Sequence, residues 1–206
     1  MKGKNTFTAK EISYLKQLIR MRVNADRDDQ KKIRRIMRSI GFYGSDYGIV
    51  DCQVSDLEGL YCIKLRKGVR LPAKFGKVRE NGVIYIGQAS TSLNQRLWKQ
   101  ELNHHGAATF FRSIGAMLGY LPPKGSLVGK STRNYRFSSE DTEAIRNWIR
   151  QSLLVNFVVV EPSSIDDIEE ALIRKYCPLV NIAKNPAASA ELSAARDNCV
   201  AYAKSK

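Results

Sequence analysis

The sequence predicts a small α/β domain in which helices cover a sheet. Two strand-like segments are followed by helical segments, then by a third strand, and then by two further helices. The third strand, residues 154–160, is a near-continuous apolar run of the kind that is buried on both faces of a sheet. With 206 residues, the chain is long enough to bury one core and to carry a small appended unit.

The charge composition predicts a polyanionic partner. The chain has 34 Lys and Arg residues against 20 Asp and Glu, a net charge of +14. Because cations that neutralise phosphates release condensed counterions, such a chain is expected to bind nucleic acid. No apolar run approaches the roughly 20 residues that span a bilayer, so we expect a cytoplasmic protein without a membrane partner. The four cysteines include no C-x-x-C pair, which argues against a zinc or disulfide framework.

Residues 1–50 are predicted to form a basic helical arm and a linker. Thr8 and Glu11 have the spacing of a capping box that begins a first helix, and a second helix is expected to end at Gly41. The segment carries 12 Lys and Arg residues against 5 acidic residues. Four cations of the second helix recur at i, i+3, i+4 and i+7 and would grip DNA phosphates: Lys31, Arg34, Arg35 and Arg38. A solvated helix face is the alternative interpretation.

The main domain is predicted to begin with two strands and a helix. Residues 60–65 and 83–86 are rich in the apolar and aromatic side chains typical of strands. Ser92 and Gln95 then have the spacing of a capping box, which predicts a helix that runs to about residue 103. Gly106 is the expected stop of that helix.

Further helices are predicted in the second half of the chain. Residues 109–120 are apolar enough to form a buried helix, and a second helix is expected at about 139–153, so that an insertion occupies about 107–150. Ser164 and Asp167 begin the last helix of the domain, which must end before Pro178.

Three units follow from these elements. Residues 1–50 are the arm, residues 51–185 are the main domain, and residues 186–206 are an Ala-rich segment that is predicted to form a peripheral helix. No internal repeat or long low-complexity stretch interrupts this arrangement.

Four short motifs occur in a specific order along the main domain. The two strands carry Gly59-Leu60-Tyr61 and Tyr85-Ile86-Gly87, and Arg96 lies on the following helix. The last helix reads Glu169-Glu170-Ala171-Leu172-Ile173-Arg174-Lys175-Tyr176 and is followed by Pro178 and Asn181. In this order the motifs resemble the GIY-YIG nuclease family, and the last is similar to the closing helix of the incision subunit of bacterial nucleotide excision repair. The resemblance implies a GIY-YIG-type layered domain, with a central, largely antiparallel three-stranded sheet flanked by helices.

The resemblance also implies a role for each motif in phosphodiester hydrolysis. Glu169 would hold one Mg²⁺ or Mn²⁺, since Mg²⁺ accepts a single carboxylate and several waters. Arg96 would bind a non-bridging phosphate oxygen with its planar fork of donors. Tyr85, supported by Tyr61, would orient or deprotonate the attacking water, and Asn181 would fix the local backbone. Outside these motifs the same residue types are commonly surface charges or core tyrosines.

Two positions depart from the family pattern. Many relatives carry Lys where this chain has Gln88, and His or Tyr where it has Gln100; we expect both glutamines to contact nucleic acid. A Gln side chain forms hydrogen bonds but does not exchange protons at neutral pH. His104, one turn after Gln100, would supply the missing proton-transfer group, and a His at a frayed helix end is the alternative. The basic connection between Tyr61 and Tyr85 is also longer than is usual in the family.

The leading functional prediction is a Mg²⁺-dependent endonuclease that hydrolyses DNA, of the restriction or mobile-element type. One alternative is a catalytically weak nucleic-acid-binding protein that retains the scaffold, because Gln88 and Gln100 replace proton-exchanging groups. The other is a structure-specific or RNA nuclease, since nothing in the sequence excludes RNA. Double-stranded DNA is the expected partner, and a palindromic target would require a homodimer or sequential nicking.

Overall fold

The computed structural model describes residues 47–48, 54, 56–76, 78, 82–159 and 165–206. The four aligned cations of the predicted arm lie outside the described residues, and of residues 1–50 only residues 47–48 are described. Almost all of the predicted main domain and the whole C-terminal segment lie within them. The fold below therefore concerns the part of the chain that carries the strand motifs and the closing helix.

One antiparallel sheet forms the centre of the domain. Its strands follow the order β1-β4-β2-β3, and every neighbouring pair is antiparallel. The strands are β1 (Tyr47–Gly48), β2 (Gly59–Leu65), β3 (Val83–Ala89) and β4 (Leu153–Val159). The two-residue β1 adds only to the outer edge of β4, so three long strands make up the sheet. This arrangement confirms the predicted central antiparallel sheet.

Helices cover this sheet, as predicted. In chain order they are a π-helix (Asn94–Leu102), α1 (Thr109–Met117), α2 (Ser139–Ser152), α3 (Ile165–Tyr176) and α4 (Ala190–Lys204). A single 3₁₀ turn, Ala73–Phe75, interrupts the connection between β2 and β3 and buries Phe75 in the core. Among the described residues, no helix combines the length and apolarity that crossing a membrane requires.

The helix after β3 begins as predicted but is wound and ended differently. The Gln95 N–H donates to the Ser92 hydroxyl at 3.0 Å, which is the predicted cap. The backbone then adopts the wider i→i+5 winding of a π-helix instead of an α-helix. It ends at Leu102, and His104 then has a left-handed φ of 61°, so the chain turns two residues before the predicted stop at Gly106.

The core occupies both faces of the sheet. Successive residues of β2 alternate between the faces, as the period of a strand requires. Tyr61 and Ile63 lie in the larger cluster with the π-helix, α1 and α4. Leu60 and Cys62 lie in the smaller cluster with α3, which agrees with a packing role for Cys62. Because both faces are covered, the strands can be almost continuously apolar.

The C-terminal helix is part of this core, whereas the sequence predicted a peripheral helix. Its residues Leu192, Cys199, Val200 and Ala203 are buried in the larger cluster. The physical reason is α1, in which every residue after Thr109 is buried. A helix that is buried around its whole circumference needs a cover on its outer side, and α4 packs there.

Candidate active site

Two glycines allow the strands to form the floor of a pocket. A Cβ atom on Gly87 would lie 2.5 Å from the Cζ and hydroxyl oxygen of Tyr61, which is the residue opposite it on β2. A Cβ atom on Gly59 would lie 2.1 Å from the carbonyl oxygen of Val158 on β4. Neither distance is sterically possible for a side chain. Glycine at these positions therefore lets Tyr61 lie across β3 and lets β2 approach β4 closely.

The two tyrosines come together on this floor. Their ring centroids are 6.2 Å apart, and both side chains line a cavity of about 440 Å³. Tyr61 is fully buried, and within the described structure its hydroxyl makes no hydrogen bond of good geometry. Burial raises the pKa of Tyr61 well above its ordinary value, and Tyr85 and Glu101 add to the rise. Burial and then Glu101 also raise the pKa of Tyr85, while Arg96 opposes both shifts. Both hydroxyls therefore hold their protons at neutral pH.

The unusual helix positions Arg96 at the same pocket. Its Nη1 donates to the Gln100 amide oxygen at 2.8 Å, and its Nη2 lies 2.8 Å from a Glu101 carboxylate oxygen. In an α-helix only residues three and four positions away are neighbours. The i→i+5 winding brings the fifth residue, Glu101, to Arg96 as well. The guanidinium is thus held by two partners while a third of the side chain stays exposed.

Glu101 is a functional residue that the sequence analysis missed. It is fully buried, and besides pairing with Arg96 it accepts a hydrogen bond of 2.7 Å from the Phe110 N–H. Burial raises the pKa of this carboxyl group, and the Arg96 charge and the Phe110 N–H oppose the rise. In the predicted α-helix, Glu101 would have pointed away from Arg96, so no helical pattern could have identified the pair.

Glu169 lies on α3 at the rim of the pocket. Its side chain is 13% exposed, and its Oε2 is 2.8 Å from the Nζ of Lys184. Lys184 follows α3 in a loop and has a left-handed φ of 62°. Burial acts to lower the pKa of Lys184, but the hydrogen bond and charge of Glu169 outweigh it and raise that pKa. Lys184 is the second residue that the sequence analysis missed, because its closeness to Glu169 depends on a loop conformation.

The two departures from the family pattern also lie at the pocket. Gln88 and Gln100 both line it, together with Gln95. The Gln88 amide nitrogen donates to Asp166 on α3, and its amide oxygen is buried without a hydrogen-bond partner in the described structure. Gln100 is the acceptor that holds Arg96. One glutamine therefore links β3 to α3, and the other orients the arginine.

Asn181 fixes the backbone beneath the pocket, as predicted. Its Oδ1 accepts from the Ile86 N–H at 2.9 Å, and its Nδ2 donates to the Ile86 carbonyl oxygen at 2.8 Å. The Val180 N–H donates to the Ile84 carbonyl oxygen at 2.8 Å in the same manner. The segment after α3 is thereby fastened to the edge of β3, which holds Tyr85 and Gly87 in place.

The structure does not bring His104 to this pocket, which corrects its predicted proton-transfer role. Its ring stacks on Phe111 with a centroid distance of 4.4 Å, and only 4% of the residue is exposed. Burial, followed by the charges of Arg136 and Arg112, lowers the pKa of His104 to about 4. The left-handed turn at this residue directs the side chain into the core instead of continuing the helix face.

The donor set of the pocket is compatible with a hard cation. Glu169 supplies a carboxylate, and the Gln88 amide oxygen lies nearby without a hydrogen-bond partner among the described residues. The Tyr61 hydroxyl lines the same cavity and interacts with Arg96. These are the oxygen ligands that Mg²⁺ accepts, with waters completing its coordination. Within the described residues, no group of three or more His, Cys, Asp or Glu side chains could hold a metal ion. Among these residues, Glu169 is the one carboxylate that lines this cavity.

Comparisons with known proteins agree with this geometry. The family model described as GIY-YIG catalytic domain matches residues 59–198. The match covers the sheet from Gly59 onwards, the π-helix, the closing helix and most of α4. A search of curated proteins and a search of solved structures found no match.

Proposed function

The chain belongs to the GIY-YIG catalytic-domain family, which indicates a nuclease-type function, and we propose that it is a Mg²⁺-dependent endonuclease that hydrolyses DNA. The observation that carries the proposal is the convergence of Tyr61, Tyr85, Arg96 and Glu169 on one cavity. These side chains come from two strands and two helices, and a packing role does not require them to meet. The excess of positive charge supports a nucleic-acid substrate.

Glu169 would hold the cation, and Mn²⁺ would serve in place of Mg²⁺. When bound, such a cation stabilises negative charge on a phosphoryl oxygen and lowers the pKa of a bound water. Lys184 already contacts one carboxylate oxygen of Glu169, so it would hold that carboxylate in one orientation. Many relatives carry a Lys where this chain has Gln88, and Lys184 would replace the positive charge of that residue from a different position.

Arg96 would bind a non-bridging oxygen of the scissile phosphate. Gln100 and Glu101 hold its guanidinium before substrate arrives, so little rearrangement is needed when charge develops in the transition state. Burial acts to lower the pKa of Arg96, but the charge of Glu101 outweighs it, and the pKa of Arg96 is raised.

The tyrosines would orient the attacking water. Tyr85 is our first choice for direct contact, supported by Tyr61. Because burial raises the pKa of both phenols, each would act mainly as a hydrogen-bonding group, and proton removal by either requires the added positive charge of a cation and of Arg96. A proton-accepting role for Tyr85 therefore predicts cleavage that becomes faster as pH rises above neutrality.

A plasmid-cleavage assay with Mg²⁺ tests this proposal. Glu169→Ala and Arg96→Ala should abolish cleavage, and addition of EDTA should do the same. Glu170→Ala is the matched control, because Glu170 is the adjacent acid on α3 and pairs with Arg174 on the exposed surface. Cleavage that survives Glu169→Ala would contradict the assignment of Glu169. Parallel reactions with single-stranded RNA and branched DNA distinguish the structure-specific and RNA nucleases from a duplex-DNA enzyme.

A second candidate function is a catalytically weak nucleic-acid-binding protein. Two observations favour it: Gln88 and Gln100 cannot exchange protons, and Lys184 occupies one oxygen of the candidate metal ligand. Tight binding of DNA with no cleavage of any DNA or RNA, in Mg²⁺ or Mn²⁺, would favour this function over the nuclease.

We further propose a restriction-type role for the nuclease. Sequencing of the cut ends tests this role, because a restriction enzyme leaves ends with a common sequence. Sedimentation of the protein with and without its target then tests whether a homodimer forms, as a palindromic site would require.

A further inference from the structure

A second cavity lies outside the candidate active site. It has a volume of about 350 Å³ and is enclosed by α1, α4 and the segment before α2. Each of these three elements contributes an arginine, namely Arg112 from α1, Arg196 from α4 and Arg133 from the intervening segment. We call this cavity the arginine pocket. Asp197 is the only acidic residue in its lining.

Arg112 is the most unusual side chain of the arginine pocket. Only 4% of the residue is exposed, and its Nη1 is buried without a hydrogen-bond partner in the described structure. Its guanidinium lies 5.7 Å from the centroid of the Tyr135 ring, which is a weak substitute for an anion. Burial of an unsatisfied charged donor is costly, so such a group is expected to have a ligand.

Among the described carboxylates, Glu101 acts on Arg112 and Arg196 through its charge, but it forms no ion pair with either arginine. Asp197 pairs with Arg133, and both are about two-thirds exposed at the rim. Within the described part of the chain, neither Arg112 nor Arg196 has a carboxylate at ion-pair distance. The nearest buried carboxylate, Glu101, is directed to Arg96 and Phe110. Burial and the charge of Arg196 lower the pKa of Arg112, while Tyr135 and Glu101 oppose this shift.

We propose that the arginine pocket binds a phosphate group. Two guanidinium groups that line the same cavity supply several donors in planar forks, the geometry that matches phosphate oxygens. Ser193 and Asn134, which also line the pocket, can add neutral hydrogen bonds. The volume exceeds that of an isolated phosphate, so the group can carry an organic substituent. The phosphate can come from a phosphodiester of bound nucleic acid or from a free phosphate compound.

This inference does not depend on nuclease activity. It concerns a different cavity, and its tests measure binding and stability without cleavage. A failure of the plasmid assay would therefore leave it standing, and its own failure would leave the proposed function standing.

The first test is thermal unfolding with inorganic phosphate, in chelator and at constant ionic strength. Phosphate should raise the midpoint saturably, by about 5 °C for a domain of this size at concentrations well above the dissociation constant. Chloride at the same ionic strength should have no such effect. Arg196→Gln should abolish the rise, and it is preferred to Arg112→Gln because Arg196 is only partly buried and its loss should leave the fold intact.

Two control variants make this test specific. Arg150→Gln removes the same charge from α2, outside the lining of the pocket, and should keep the full response. Arg96→Gln removes the cation of the active site and should also keep the response. A phosphate effect that survives Arg196→Gln overturns the proposal, particularly if Arg96→Gln removes it.

The second test identifies the source of the phosphate. Affinity for a short DNA duplex is measured at several salt concentrations for the unmodified protein, Arg196→Gln and Arg150→Gln. A backbone phosphate in the pocket predicts that Arg196→Gln weakens binding about tenfold and lowers the salt slope by about one, with a smaller change for Arg150→Gln. A stability response to inorganic phosphate that Arg196→Gln abolishes, with unchanged DNA affinity, assigns a free phosphate compound. If Arg196→Gln alters neither measurement, the proposal is wrong.

Discussion

The active-site cavity and the arginine pocket are both lined by arginine, but their charges have different surroundings. In the active site, Arg96 has Gln100 and Glu101 as partners, and Lys184 has Glu169. In the arginine pocket, Arg112 and Arg196 line the same cavity, and within the described residues no carboxylate lies at ion-pair distance from either.

The difference separates two ways of preparing a site for an anion. A compensated cation is held in one geometry before the ligand arrives, which suits stabilisation of a transition state. An uncompensated pair of cations gains most when an anion enters, which suits binding. The geometry of the active site therefore depends on its internal ion pairs, whereas the charge balance of the arginine pocket depends on a bound ligand. The following four predictions test this contrast, from the largest expected effect to the smallest.

Removal of Glu101 should have the largest effect, because it makes the active site resemble the arginine pocket. Glu101→Leu leaves the Arg96 cation and the buried Phe110 N–H without their acceptor, and we expect a loss of about 4 kcal/mol in the free energy of unfolding. Urea denaturation measures this change. Glu143→Leu breaks an exposed ion pair with Arg146 and should cost less than about 1 kcal/mol. Equal losses in the free energy of unfolding for the two variants would show that the buried pair stabilises the fold no more than the exposed pair does.

Titration of His104 should have the next largest effect, because burial and the neighbouring positive charges disfavour its charged form. Its pKa is about 4 in the folded protein, against an ordinary value of 6.5. Between these values the unfolded chain binds the proton and the folded protein does not, so stability falls as pH decreases from 6.5 to 4. The fall attributable to this residue should reach roughly 3 kcal/mol at the acid end.

Urea denaturation across this pH range checks the titration. His104→Asn removes the titrating group and keeps a residue that tolerates the left-handed backbone, so its stability should vary less with pH. His105→Asn alters the exposed neighbour and should retain the full dependence. Identical pH profiles for His104→Asn and the unmodified protein would contradict the assignment.

Replacement of Arg96 by Lys should reduce cleavage about 100-fold, because an ammonium group cannot hold two partners and a phosphate oxygen in a fixed plane. The charge is conserved, so the change separates geometry from electrostatics. Initial rates on plasmid DNA at saturating Mg²⁺ measure the effect. Arg150→Lys makes the same change on α2 and should leave the rate unchanged. If Arg96→Lys cleaves within about threefold of the original rate, the planar donor geometry of the guanidinium is not needed for cleavage.

Arg196→Gln should have the smallest effect on stability when phosphate is absent. It removes a partly exposed charge that repels Arg112, so the free energy of unfolding should change by less than about 0.5 kcal/mol, or rise slightly. Urea denaturation in phosphate-free buffer measures it. A loss of more than about 1 kcal/mol would show that Arg196 has a stabilising partner within the protein.

Much of the fold followed from local patterns in the sequence. The strands, the capping residue Ser92, the buried character of residues 109–117 and the end of α3 before Pro178 are all confirmed. These features depend on neighbours within a few positions, such as the period of a strand or a hydroxyl that accepts from a nearby N–H. The backbone role of Asn181 also followed from the family resemblance and is confirmed by its two hydrogen bonds to Ile86.

The errors concern features that depend on distant residues. The stop at Gly106 was wrong because His104 takes the left-handed conformation, which packing of its ring against Phe111 stabilises. The peripheral position predicted for residues 186–206 was wrong because α1 needs a cover on its outer side. Neither contact can be predicted from the residues of the affected segment alone, because the packing partner lies elsewhere in the chain.

By itself, the sequence determined the order of the elements, the family and the residue types of the active site, because these are set by short-range periodicity and by motifs. Only the tertiary structure decided how those residues are paired. The π winding brings Glu101 to Arg96, and a loop brings Lys184 to Glu169. The packing of α1 against α4 places Arg112 and Arg196 in one cavity. None of these arrangements follows from the periodicity of a regular helix or strand. Electrostatic partners are set by distance in space, and that distance is fixed when the whole core is packed.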